Sequence, residues 1–371
     1  MKILIAGDFC PQDRVVKVFE QEQYDRVLGD VNQVIATTDY SIVNFECPVI
    51  KNGEKPIAKL GPNLNCSTKG MEAVKWVGFN CVTLANNHFC DYGDDGVINT
   101  LEACDKYGLD RVGGGRNIQE AAKTLYKQIN GRSLAIINCC EHEFSIATDN
   151  TAGSNPVDPI VQYDAIKEAR KNADYVLVIV HGGHELFQLP SLRMVKTYKF
   201  FIDAGADAVV NHHQHCFSGY EVYKEKPIFY GLGNFCFDNP TKRSGIWTEG
   251  YMVTIDFTPN VPAFEIHPYK QCNDEPRVVM LDRDFFNEKI EELNSIIADK
   301  DKLKTAIEEY YASSADQYCN IFEPIRNKYY FAAKQRGWAP SLITKERKLC
   351  AANYILCESH RDRLIHWLNI N

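Results

Sequence analysis

Residues 175–215 read YVLVIVHGGHELFQLPSLRMVKTYKFFIDAGADAVVNHHQH. Tyr175–Val180 is an unbroken apolar run of the length and composition of a buried strand. Ser191–Ala204 carries a helical pattern, and Ala208–Val210 is a second short apolar run. Strand, helix and strand in succession argue for an α/β sheet with helices on its faces. Each of the two strands is followed at once by polar residues: His181 to Glu185 after the first, Asn211 to His215 after the second.

The same alternation extends outward in both directions. Lys2–Ala6 reads as a strand ending at Gly7-Asp8, Ser41–Phe45 as one ending at Glu46, and Cys81–Ala85 as one ending at Asn86-Asn87-His88. Leu134–Asn138 is a further strand. Lys69–Val77, Asp94–Tyr107 and Asp158–Asn172 are helix candidates between them. From Lys226 the texture changes: Pro227–Tyr230, Tyr251–Phe257 and Ala263–Pro268 look like strands joined by turns, which suggests an antiparallel portion. After about residue 282 the patterns are helical. The expected organisation is an α/β domain over residues 1–281 and a C-terminal helical extension over 282–371, each within the usual size of a domain.

Composition narrows the function classes. Of 371 residues, 45% are hydrophobic and 24% charged, which excludes a disordered or fibrous chain. The 41 basic and 49 acidic side chains leave a formal charge of −8. Nucleic acid is not an expected partner, because its binding rests on Lys and Arg neutralising phosphates. The fourteen cysteines include no CxxC pair, and several sit inside apolar runs. They read as free thiols acting as small hydrophobes in a reducing cytoplasm rather than as a disulfide framework. Met1–Gly7 is too short for the apolar region of a signal peptide. No stretch approaches the ~18 apolar residues of a membrane span, so a cytoplasmic location is expected.

The polar residues after the strand ends carry the chemistry. In open α/β sheets, sites form beyond the carboxyl ends of the strands. Asp8, Glu46, Asn87 with His88, His181 with Glu185, and His212, His213 and His215 come from five separate segments to one such rim. Carboxylate, amide and imidazole donors together suit a divalent metal. Each alone has a plainer explanation. Asp8 could cap a helix, Glu46 could end a strand in solvent, and Asn87 and His88 could turn the chain before Asp91. His181 could be a satisfied core histidine, and residues 212–215 an exposed turn. Recurrence on the same side of successive strands favours the metal.

At these residues the sequence resembles a known family. GD at 7–8, NFE at 44–46, ANNHFCDYG at 85–93, VGGGRN at 112–117, HGGHE at 181–185, NHHQH at 211–215 and PIFYGLGNFCFD at 227–238 are similar to the poly-γ-glutamate capsule synthesis (CapA-like) family. That family falls within the calcineurin-like metallophosphoesterase superfamily. The likeness covers about residues 1–240. It implies a four-layer α/β/β/α sandwich with two divalent metal ions (Mn, Zn, Fe or Mg) at one rim. It makes Asp8 and His215 ligands of one ion, Glu46 the bridging carboxylate, and Asn87, His181 and His213 ligands of the other. His88 then takes the acid–base role, held by Asp91. Two departures stand out. Cys10 occupies the position where metallophosphoesterases carry a second histidine, and Gly182 replaces a usual tryptophan. Glu185, His212, Asn234 and Cys10 are placed in an outer shell around the ligands, where Glu185 could complete the first ion's ligands and Cys10 is either a thiolate ligand or, more plainly, a buried neutral thiol.

The implied function is metal-dependent hydrolysis of a phosphoester, with a small or polymeric anionic substrate. An alternative is synthesis or processing of an anionic polymer such as poly-γ-glutamate, with the metals acting on an amide or carboxylate. A third is a metal-binding scaffold without activity. Capsule-synthesis members typically carry an N-terminal membrane anchor, and no such segment is expected here. Gly113-Gly114-Gly115 is not followed by Lys-Ser/Thr, so it reads as a tight turn and not as a phosphate-binding Walker loop.

Overall fold

The computed structural model describes residues 1–258, 261–325 and 327–368. The chain forms two compact units, Met1–Lys304 and Thr305–Asn371. Within the first, two large sheets carry the architecture.

The eight-stranded sheet is organised around Lys2–Phe9. Tyr40–Phe45 pairs with it in parallel, and Cys81–Thr83 and Asp110–Val112 continue outward, also parallel. On its other side Glu249–Asp256 runs antiparallel, followed by Ala263–Gln271 and Val278–Met280. This is the antiparallel portion expected after Lys226. Asn234–Cys236 adds a short parallel pairing that sets Asp8 opposite Asn234. The six-stranded sheet runs Tyr220–Tyr223, Lys226–Phe229, Ala208–His212, Tyr175–His181, Arg132–Cys140 and Leu125–Ile129.

The central strands of both sheets are buried on both faces, which explains their continuous apolar runs. Leu4 and Ala6 of the first strand, with Val43, Phe45 and Val82, pack against Met71, Val74, Val97 and Leu101. These come from the helices Thr68–Val77 and Gly93–Tyr107 on the outer face. The alternating residues Ile3, Ile5 and Ile42 are equally buried, as the period of a strand requires. Helices Pro159–Asn172 and Leu192–Ala204 cover the second sheet. Their starts are fixed by Asp158, which accepts from the Ile160 and Val161 N–H groups, and by Ser191, which accepts from Met194 N–H. The inner faces meet where Ala85 N–H donates to Asn138 Oδ1 at 2.8 Å and His212 Nε2 lies 2.9 Å from the Ala6 carbonyl. The result is the four-layer α/β/β/α arrangement that the resemblance implied.

Two close approaches depend on glycine. A Cβ on Gly7 would fall inside the van der Waals radius of the Gly233 carbonyl oxygen, and Gly233 itself has φ +82°. The same carbonyl accepts Asp8 N–H at 3.1 Å. At Gly113 a Cβ would strike Asn138 Oδ1, and one at Gly114 would enter the Phe89 ring. Packing therefore accounts for the glycine run. Gly114–Gly115 pairs with Gly153–Ser154 before a short helix, Ile118–Ala121.

The helix Asn287–Ala298 lies in the first unit, where it packs against Tyr220–Tyr223. The second unit is helical, with Lys328–Gln335, Lys345–Leu356 and Glu358–Leu368. Arg326, inside one of the helical patterns, lies outside the described residues. Among the described residues no disulfide joins any of the fourteen cysteines. Those from Cys10 to Cys272 are buried, while Cys319 and Cys350 in or next to the second unit's helices are exposed. Among the described residues no helix is long and apolar enough to cross a membrane.

Candidate metal centre

Two strands of the first sheet and two of the second end at one place. Asp8 lies near the end of Lys2–Phe9, and Glu46 directly follows Tyr40–Phe45. His181 closes Tyr175–His181, and His213 and His215 follow Ala208–His212. All five are buried. They form two ligand groups that share one residue: Asp8, Glu46 and His215, and Glu46, His181 and His213. Within each group the donor atoms lie within 4.8 Å of one another.

Glu46 Oε1 stands between the groups, 3.6 Å from His181 Nε2 and 3.6 Å from His215 Nε2. On one side, His215 Nδ1 lies 3.5 Å from Asp8 Oδ2. On the other, His181 Nε2 lies 3.1 Å from His213 Nδ1 and 2.9 Å from Asn87 Oδ1. The Asn87 amide thus joins the second group. His213 and His215 both have positive φ, +89° and +53°. Non-glycine residues rarely adopt this conformation, and here it turns alternate imidazoles toward one centre.

The electrostatics follow from burial and crowding. Burial works against the Asp8 carboxylate, but the hydrogen bond from His215 and the charges of His212 and His181 outweigh it. Its carboxyl is held well below the usual range. Burial and then the Asp8 charge push the Glu46 carboxyl well above its usual range. Both Glu46 oxygens are buried with no hydrogen-bond partner among the described residues. Burial, then the neighbouring His213, lowers His181 well below an ordinary imidazole. Burial and the nearby His215 bring His213 down to about 4. Burial also acts on His215, yet the hydrogen bond with Asp8 prevails and raises it.

The residues expected around the ligands separate into distinct places. Asn234 Oδ1 lies 2.9 Å from His215 Nδ1, while its Nδ2 donates to the carbonyls of His215 and Trp247. Asn234 therefore orients His215. His212 turns the other way, to the Ala6 carbonyl, and belongs to neither group. Glu185 is exposed and outside both groups, near enough for its charge to act on His213 and Glu46. Cys10 is a buried thiol in the helix-side core that accepts from Gln12 Nε2 at 3.3 Å, its ionisation opposed by burial. It too lies outside both groups.

His88, next in sequence to Asn87, forms a corner with Asp91. His88 Nδ1 is 2.7 Å from Asp91 Oδ2, and Asp91 is fully buried. Two residues escaped the sequence reading. Asn44 Nδ2 donates to Asp8 Oδ1 at 2.8 Å and sits 3.3 Å from His181 Nδ1, tying the two groups together. An asparagine inside the otherwise apolar run SIVNF was the available signal. Lys59 Nζ pairs with Asp91 Oδ1 from a loop without regular structure, and nothing in its local sequence marks it.

The family described as bacterial capsule synthesis protein PGA_cap matches residues 2–239. The chain is 34% identical over 252 residues to the capsule biosynthesis protein CapA of Bacillus anthracis, covering 66% of this chain and 61% of that one. It is 35% identical over 242 residues to the PGA biosynthesis protein CapA of Bacillus subtilis (strain 168), covering 64% of each. The chain thus spans less than two thirds of the length of these relatives. Among solved structures it resembles a 5′-nucleotidase precursor from Thermus thermophilus, with a TM-score of 0.43 and 12% identity, over 84% of this chain and 59% of that one.

Proposed function

The chain belongs to the bacterial capsule synthesis protein PGA_cap family, and on that premise we propose that it is a metal-dependent hydrolase that cleaves a phosphoester at a two-cation centre. The observation that carries this reading is the pair of ligand groups sharing Glu46. The donor set fits cations. Two buried carboxylate oxygens without a hydrogen-bond donor are strongly unfavourable in a protein interior unless a positive charge meets them. Asp8, Glu46 and His215 would hold one ion, and Glu46, His181, His213 and Asn87 the other. Bound there, such ions supply Lewis acidity toward a phosphoryl oxygen and make a water acidic enough to attack at neutral pH.

The chain's own residues do the rest. Asn44 fixes the Asp8 carboxylate and Asn234 the His215 ring, so the donors are oriented in advance. Asp91 takes the Nδ1 side of His88, so a protonated ring would present its Nε2–H to the departing alkoxide. The test is to load the purified chain with Mn²⁺, count bound ions, and assay aryl phosphomonoesters and phosphodiesters. Two ions per chain are expected, with turnover lowered about 100-fold or more in His88→Ala. Unchanged turnover in that variant removes His88 from the chemistry.

A second reading is favoured by the printed descriptions of the two relatives, which concern capsule and PGA biosynthesis. In it the same centre acts on an amide of an anionic polymer. Release of glutamate from poly-γ-glutamate by the pure chain, with no phosphatase activity, would select it.

A further inference from the structure

The segment between Ile50 and Cys66 has no helix or extended strand, yet three of its polar contacts meet at one residue, Asp91. Ile57 N–H donates to the Asp91 carbonyl at 2.9 Å, and Leu64 N–H to Asp91 Oδ2 at 2.6 Å. Lys59 Nζ pairs with Asp91 Oδ1. Asn63 Nδ2 closes the loop on the Ile57 carbonyl at 2.9 Å. The Lys59 side chain is 3% exposed and that of Asp91 0%, whereas the next residue, Leu60, is 85% exposed. The loop therefore turns one lysine inward while its neighbour stays in water. A loop lysine is ordinarily solvated, and burying its ammonium is unfavourable unless a carboxylate receives it. The same Nζ lies 3.2 Å from His88 Nδ1.

We propose that Lys59 is a positioning residue for His88: by holding Asp91 Oδ1 it fixes the carboxylate whose Oδ2 holds the imidazole. The two oxygens of Asp91 are divided between them. Oδ2 lies 2.7 Å from His88 Nδ1 and accepts the Leu64 N–H, while Oδ1, which accepts no hydrogen bond among the described residues, forms the ion pair with Lys59. With Oδ1 held, the carboxylate cannot rotate and offer His88 a different edge, so the ring keeps Nε2 free for the substrate. This inference rests on the proton-donor role of His88 proposed above. It adds that the loop 50–66, remote in sequence from every metal ligand except Glu46, is part of the catalytic apparatus.

The experiment compares the metal-loaded full chain with Lys59→Met, Lys59→Gln and Lys59→Arg on two substrates, phenyl phosphate and p-nitrophenyl phosphate. A positioned proton donor matters most when the leaving oxygen is basic. The expected result in Lys59→Met and Lys59→Gln is a kcat about 100-fold lower on phenyl phosphate. On p-nitrophenyl phosphate the loss is expected to be about threefold, with KM and bound metal little changed and Lys59→Arg restoring most of the difference. Equal losses on both substrates, or none, overturn the proposal. A second arm needs no turnover. Nitrogen NMR of the imidazoles, with His88 assigned through His88→Ala, should show a single fixed His88 tautomer in the wild type, a signature lost to tautomer averaging in Lys59→Met and Lys59→Gln. Its survival in both variants overturns the proposal. If that signal is lost as expected while the wild type hydrolyses neither ester, the phosphoesterase reading fails and the positioning of His88 by Lys59 stands.

Discussion

The two halves of the candidate centre share Glu46 and differ in almost everything else. One sets two carboxylates, Asp8 and Glu46, against a single imidazole, His215. The other sets two imidazoles, His181 and His213, against a single carboxylate and adds the Asn87 amide. In the first half, Asp8 and His215 satisfy each other, the acid lowered and the base raised. In the second, burial and mutual crowding keep both imidazoles neutral. The difference teaches that the two halves of one centre can be electrostatically unlike while sharing a carboxylate. Burial favours the neutral form of the second half's imidazoles, whereas Asp8 favours a proton on Glu46 and on His215. Oxygen-rich donors also favour harder cations than imidazoles do.

The strongest way to break the comparison is to remove what the halves share. Glu46→Gln is expected to empty both positions and lower turnover on the order of 10³-fold, measured by metal analysis and ester hydrolysis on the same preparation. Retention of two ions would show that the carboxylate does not bridge. A finer cut separates the halves by pH. The Glu46 carboxyl titrates above its unfolded value, so the metal-free folded state keeps a proton that the unfolded state has lost. Its contribution to stability is therefore fully present below the unfolded value, about 4.3, and is lost as pH rises toward the raised one. Melting curves of metal-free protein should show wild type losing ground to Glu46→Gln as pH rises from about 4.5 toward 8. Parallel curves would contradict the raised carboxyl. The smallest expected effect is that of Cys10→Ala. It should cost about 1 kcal/mol by removing a buried sulfur and leave the metal count untouched. A lost ion would bring Cys10 into the first half.

What the sequence revealed depended on where each residue sits along its strand. Asp8, Glu46, His181, His213 and His215 each follow or close a run of apolar residues, and the period of a buried strand makes such ends visible. Asn44 sits one position inside its run and reads as a strand residue, although it links Asp8 to His181. Lys59 is invisible for a different reason. It lies in an irregular loop, where a lysine reads as solvated and only the folded path of 50–66 brings it to Asp91. The helix Asn287–Ala298 has the same pattern as the helices beyond it, so periodicity alone gives no sign that it packs on Tyr220–Tyr223. Such contacts are long-range and leave no local signature.

The missing side chain at position 7 has an evolutionary consequence. Because the Gly233 carbonyl fills the space a Cβ would need, even an alanine there must push the first strand away from the turn that leads into Asn234. That displacement would reach Asp8, the residue paired with Asn234, and through it His215. Position 7 is thus a point where drift is forbidden although its residue touches no cation. Lineages that keep the centre are expected to keep glycine there. Alleles such as Gly7→Ala should behave as loss-of-function variants whose folded chains no longer retain metal.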